Sequence, residues 1–207
     1  MNAIIVSALL GVVMMFSGIF STNKLLIKNI AAVGVLILLA ANLMEMYDVF
    51  AISINTHDLI VTQRYGLFFN SIAYLATFIY ILLSGNDITE VGVNVAEYFA
   101  LIFFVLCGVA ILSSFNGLLM LFIGVEILSI PLYILTGSDK RNLKSNEASL
   151  KYFLMGSFST GIMLMGIALI YGGTGSFGMV HTTLRGVVTA SQQPSYLLVA
   201  GLLLLFA

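Results

Sequence analysis

Six apolar runs, each about long enough to cross a bilayer as a helix, constrain this chain more than any other feature. A hydrocarbon core about 30 Å thick needs ~20 helical residues, with a range of ~17–25. Residues 3–20, 30–46, 65–84, 98–113, 117–136 and 147–172 meet that need. A seventh run, 196–207, reads YLLVAGLLLLFA. As a helix it would rise ~18 Å, only part of a span. Hydrocarbon offers backbone groups no partners, so closed helices are expected. The period-two alternation of a membrane barrel is absent. The expected fold is all-α: one membrane domain over residues 1–207, with six full spans and a truncated seventh. A chain that stops inside hydrocarbon implies the N-terminal part of a longer protein.

Composition excludes the soluble alternative. Charged residues make up 8% of the chain and hydrophobic residues 60%. Soluble domains carry about 25% charged residues. A net charge of -1 gives no electrostatic case for nucleic acid. The single cysteine, Cys107, cannot form an intramolecular disulfide and reads as a small buried hydrophobe. The first run has no basic residue before it and no clean cleavage site after it, so it reads as a retained span rather than a signal peptide.

Basic residues predict the orientation. Lys24 and Lys28 fall between the first two runs, and Lys140, Arg141 and Lys144 fall between the fifth and sixth. With six spans these connections share one side, which is then cytoplasmic. The opposite connections hold only Arg64 and Arg185. The third cytoplasmic connection is acidic (Asp87, Glu90, Glu97), but acids count little in this rule. The N-terminus is therefore expected outside.

One acid sits where hydrocarbon should be. Glu126 lies near the middle of the fifth run, GLLMLFIGVEILSIPLYILT. A carboxylate at bilayer depth costs at least ~2.5 kcal/mol and marks a functional site by default. Helical spacing puts Leu119, Phe122, Ile123, Ser129, Ile130 and Tyr133 on its face. Pro131 lacks an N–H and deprives the Ile127 carbonyl of its helical partner. That carbonyl is expected to hold water or a hydroxyl beside the acid. Burial raises a carboxyl pKa and a nearby cation lowers it, so a site tuned by both can load and release a proton. The plainer alternative is a structural acid held neutral by a hydrogen bond.

Lys151 is the candidate cation in the next run. Counted from Glu147 it is ~6 Å deep, shallow enough to snorkel to the interface. Glu147 is also four residues before it, the favourable order for a helical ion pair. Both readings, surface pair and partner of Glu126, stand on spacing alone. A hairpin through residues 137–146 leaves a depth gap of ~9 Å, which favours contact through water or another side chain. Gly156, Ser157, Thr160 and Gly161 offer a small-residue stripe for close packing. The methionines read as core filler. His57 and His181 lie in connections, with no neighbour that would complete a metal site. Residues 172–178, GGTGSFG, read as a turn. No phosphate-binding glycine loop and no nucleotide, flavin, haem or iron–sulfur motif is visible.

Two adjacent stretches carry a resemblance. They are LFIGVEILSIPLYILTG (residues 121–137) and SNEASLKYFLMGSFSTGIMLMGIALIYGGTGSF (residues 145–177). The paired patterns ExxSxPLYxLxG and EAxLKYFxxGxFS resemble the antiporter-like membrane subunits of the bacterial proton-pumping NADH:quinone oxidoreductase, respiratory complex I, and among these the subunit N family. The match is strong over about two-fifths of the chain; residues 1–96 agree mainly in helix count and hydropathy. The resemblance implies a proton-carrying role for Glu126 and an electrostatic, modulating role for Lys151. It implies a subunit of a translocase that couples NADH oxidation and quinone reduction to proton export, with no redox chemistry in this chain. Flavin and iron–sulfur clusters are expected in other subunits, and no cofactor or metal in this one. The implied partners are other complex I membrane subunits and the lipid bilayer, with NADH and quinone met only through the complex. The implied location is the bacterial inner (plasma) membrane. Family members carry about fourteen helices in two inverted repeats; the lysines expected in their seventh, eighth and twelfth helices have no counterpart in these residues. The family is also similar to Mrp-type cation/proton antiporter subunits, which is the alternative function. A purely structural membrane subunit is the third.

Overall fold

The computed structural model describes residues 1–20, 23–50, 52, 56, 58–84, 95–178 and 196–206. His57, His181, Arg185, Asp87 and Glu90 lie outside them. Seven helices are described: α1 (Asn2–Phe20), α2 (Lys24–Met46), α3 (Arg64–Leu83), α4 (Val95–Leu112), α5 (Leu118–Thr136), α6 (Leu143–Thr174) and α7 (Tyr196–Leu205). The first six are long and apolar enough to cross a membrane, by length and composition; α7 is a shorter apolar helix. The chain is an all-α, multi-pass membrane bundle.

Two helices begin more than a turn earlier than their apolar runs. Asn23 caps α2 by accepting from the Leu25 N–H at 3.1 Å, and Asn142 caps α6 by accepting from the Lys144 N–H at 3.0 Å. An asparagine at the N-cap satisfies one of the orphan donors of the first turn. Lys24, Lys28 and Lys144 therefore stand on helices rather than in connections. The long α6 rises ~48 Å, well beyond a hydrocarbon core. Its far end also corrects the sequence reading. Gly172, Gly173 and Thr174 continue the helix, and the break comes at Gly175, whose φ of 70° is left-handed. Glycine adopts that conformation without a Cβ clash.

The core gathers round α4, which packs on α1 and α5 and more lightly on α2 and α3. Tyr74, Phe99, Phe103, Met14, Leu38 and Ile81 are its largest buried members. A smaller cluster joins Leu118 of α5 to Ile167 and Ile170 of α6. At the N-terminal side, connections meet. Val61 N–H donates to the Ser114 carbonyl at 2.8 Å, and Leu118 N–H donates to the Phe177 carbonyl at 2.9 Å. The starts of α1, α3 and α5 and the ends of α2, α4 and α6 thus share one face of the bundle.

Candidate functional site

The α5–α6 hairpin positions Glu126. The last four carbonyls of a helix have no partner within it. In α5 all four are met. The Ile134 carbonyl accepts from Gly137 N–H and the Leu135 carbonyl from Ser138 N–H, both at 3.1 Å. The Tyr133 and Thr136 carbonyls accept the hydroxyls of Ser149 and Ser145, both at 2.8 Å, from α6. These serine bonds fix the register of the two helices. Thr136 stands opposite Ser145, and Tyr133 opposite Ser149. Extended inward, the register sets Glu126 about level with Gly156 and Lys151 about level with Pro131.

Glu126 is half-buried. Gly124 and Leu128 flank it in sequence and turn the other way, onto α4. A Cβ on Gly108 of α4 would lie 2.7 Å from the Leu128 backbone nitrogen, so these two helices touch almost backbone to backbone. Two residues from Leu128, about 200° round the helix, Glu126 must then lie on the side away from α4. That side carries Phe122, Ser129 and Tyr133, as the spacing predicted, and it faces α6. Tyr133 is buried there, its ring 4.8 Å from Tyr152 and 5.9 Å from Phe153, edge-on to both. Its hydroxyl fills the space that a side chain at Gly156 would need. Ile130 and Leu119 of the predicted stripe are exposed instead. Among the described residues, nothing hydrogen-bonds or ion-pairs with the Glu126 carboxylate. The Ser129 hydroxyl donates to the Val125 carbonyl at 2.6 Å, rather than to Ile127 or to the acid. Pro131 lies within the helix without ending it.

Lys151 is not brought to Glu126. Its ammonium pairs with Glu147 one turn back, and its side chain is 70% exposed. Ser149 and Phe153 mark the face of α6 that meets α5. Lys151, two residues from Ser149, is about 200° away from that face. It is also about 7 Å short of Glu126 in depth, five residues in the register above. Of the two readings left open by spacing, the structure contains the ion pair with Glu147. The small-residue stripe also works differently from expectation. Gly156 seats Tyr133, but Gly161 has open space around it. The close backbone approach of α6 is to α7, where a Cβ on Gly166 would lie 2.8 Å from the Gly201 carbonyl.

A second acid escaped the sequence reading. Glu45 of α2 is buried, 5% exposed, and its carboxylate accepts from the Met1 amino group and from Asn2 N–H, the latter at 2.8 Å. Asn42, one turn earlier, donates to the Leu67 carbonyl and the Ser71 hydroxyl, both at 2.8 Å. Asn70 and Tyr74 are buried on the same stripe of α3. The available signal was the pair Asn42 and Glu45, a turn apart at the end of an apolar run. Cys107 is buried as expected, its thiol 3.7 Å from the Ile4 carbonyl. No group of three metal-ligating side chains occurs among the described residues.

Comparison with known proteins fits this architecture. Residues 115–207 match the family described as NADH:quinone oxidoreductase/Mrp antiporter, TM. The chain is 43% identical over 178 residues to NADH-quinone oxidoreductase subunit N of Cytophaga hutchinsonii, covering 86% of this chain and 38% of the relative. It is 38% identical over 179 residues to subunit N of Flavobacterium psychrophilum, with the same coverage of each. The chain thus spans about two-fifths of the length of these curated relatives. Among solved structures it is similar to a chain of respiratory complex I from Thermus thermophilus, with a TM-score of 0.74 and 25% identity over 99% of this chain and 42% of that one. An archaeal membrane-bound sulfane sulfur reductase shares the fold, with a TM-score of 0.80 at 21% identity, over 98% of this chain and 42% of that one. By its paired α5–α6 patterns, its helical architecture and these relatives, the chain belongs to the antiporter-like membrane subunits of the NADH:quinone oxidoreductases, on the subunit N branch.

Proposed function

We propose that this chain takes part in proton translocation coupled to electron transfer from NADH to quinone, as a membrane subunit of a bacterial respiratory complex. The observation that carries the reading is the placement of Glu126. It is an ionisable group in the middle of an apolar helix, on the face turned to α6, with no hydrogen-bonding partner among the described residues. A carboxyl group locked in a structural hydrogen bond would lack that freedom; an unlocked one can exchange its proton with water. In this proposal Glu126 carries the proton and Lys151 modulates it electrostatically. Lys151 acts across α6 through its field, strengthened when its pair with Glu147 opens. A change in that field prompts Glu126 to release its proton, which leaves through water. Flavin and iron–sulfur centres belong to other subunits of the complex. The clustering of Lys24, Lys28, Lys140, Arg141 and Lys144 on one side supports an N-terminus on the outer face of the inner membrane.

The test is Glu126→Gln in the full-length protein within its complex. In sealed vesicles, NADH-driven proton uptake should fall about 100-fold, the lower end of what a positioned proton-transfer group contributes. Assembly and quinone reduction in uncoupled membranes give the control. Unchanged proton-to-electron stoichiometry would reject the role.

A further inference from the structure

Three buried polar atoms have no partner among the described residues: Asn42 Oδ1, Asn70 Oδ1 and the Tyr74 hydroxyl. All three lie where α2 and α3 pack beside α4. The Asn42 amide reaches α3 at Leu67 and Ser71, and Asn70 and Tyr74 are one turn apart on that helix. None is open to bulk solvent; Asn42 and Tyr74 are 0% exposed and Asn70 is 2% exposed. Leaving such groups unpaired is costly, because each has given up its hydrogen bonds to water for nothing. Native proteins rarely carry three together without a bound partner.

The chemistry of the set selects its ligand. It offers two carbonyl acceptors and one hydroxyl able to donate. An anion would meet the two carbonyl oxygens unfavourably. A metal ion finds no charged ligand among these three side chains. Water donates twice and accepts twice, which complements the set. An access route is present. A cleft with room for about one water opens on the N-terminal side and is lined by Glu45, Thr62, Gln63, Leu67 and Asn70. Asn70 thus stands at the inner end of the cleft, with Tyr74 one turn deeper. We propose that the α2–α3–α4 junction is a water-binding site, filled through the Glu45 cleft, in which ordered water joins Asn42, Asn70 and Tyr74. The Tyr74 hydroxyl would then be the deepest wetted group, ten residues or about 15 Å into α3.

The experiment uses the full-length protein in its membrane complex. X-ray hydroxyl-radical footprinting modifies side chains that touch bound water, even where bulk solvent is excluded. Phe99 and Phe103 are as deeply buried as Tyr74 and serve as dry controls. Tyr74 should be modified several-fold faster than either, and Asn70→Leu should lower that rate. A Tyr74 as silent as the two phenylalanines overturns the proposal. Tyr74→Phe gives an independent sign. A hydroxyl bound to water is missed when removed, so the melting midpoint should fall; an unpaired hydroxyl in a dry core leaves the midpoint unchanged or raised on removal, which would also sink the idea.

Discussion

Two acids of this bundle, Glu45 and Glu126, live in different surroundings, and so do the halves that hold them. Glu45 belongs to the α1–α4 half. It is buried, and both its oxygens are occupied by donors from the start of the chain. Glu126 belongs to the α5–α6 half, is half-buried, and has no such donors among the described residues. The helices that carry them differ less. In their most apolar stretches α2 is 33% buried and α5 22%, with α4 the most enclosed at 56% and α1, α3 and α6 at 22%. The first half holds its polar groups by closing round them. The second offers an acid on a helix whose other faces are left to lipid or to further protein. The role we propose for Glu126 suits the second setting, because a fully satisfied carboxylate has little reason to release or take a proton.

The difference can be broken at several points. Phe103 is 0% exposed, so Phe103→Ala should cost about 3–5 kcal/mol in unfolding free energy. Phe158→Ala, at a position 73% exposed, should stay within about 0.5 kcal/mol. Equal losses in denaturation of the two purified variants would erase the contrast between halves. Next comes Glu45→Leu, which strands the buried Asn2 N–H and the Met1 amine. A loss of about 3 kcal/mol is expected, while Glu126→Leu should be neutral or stabilising. Thermal unfolding in the same detergent reads both. Gly108→Ala should cost about 1–3 kcal/mol by forcing a methyl group against the Leu128 backbone. It should also slow proton uptake, since Leu128 and Glu126 move together on α5. Normal pumping by a folded Gly108→Ala protein would mean that the α4 contact does not position the acid. The smallest change belongs to Lys151→Ala. Its exposed pair with Glu147 supports α6 by no more than about 0.5 kcal/mol, so stability should barely move. A large drop in melting temperature would instead show that Lys151 is held by something stronger than Glu147.

Much of this was legible in the chain, for identifiable reasons. Apolar runs of bilayer length set the six crossing helices, and one carboxylate within such a run singled out Glu126. The seven-residue step from Glu126 to Tyr133 placed both on one face, and that face meets α6. The four-residue step from Glu147 to Lys151 offered the pair that forms. Helix starts were missed because hydropathy ignores a polar first turn, although Asn23 and Asn142 are good caps. The outward aim of Lys151 was not readable, since it depends on which face of α6 docks on α5. That docking is set by Ser145, Ser149 and Gly156 together with Tyr133, all of which look ordinary one at a time. Glu45 was overlooked because it sits at the edge of its run, where a charge looks interfacial. Only the arrival of Asn2 from the far end of α1 makes it a core residue.

The serine bonds across the hairpin have a mechanical consequence. With Ser145 and Ser149 stitched to the terminal carbonyls of α5, and Tyr133 nested against Gly156, the two helices are pinned at one end over about three turns of α6. They form a single lever rather than two independent rods. A push on the outer flank of α6, where Lys151 projects, is then passed through the stitches to α5, and the acid at its centre swings with the arm that carries it.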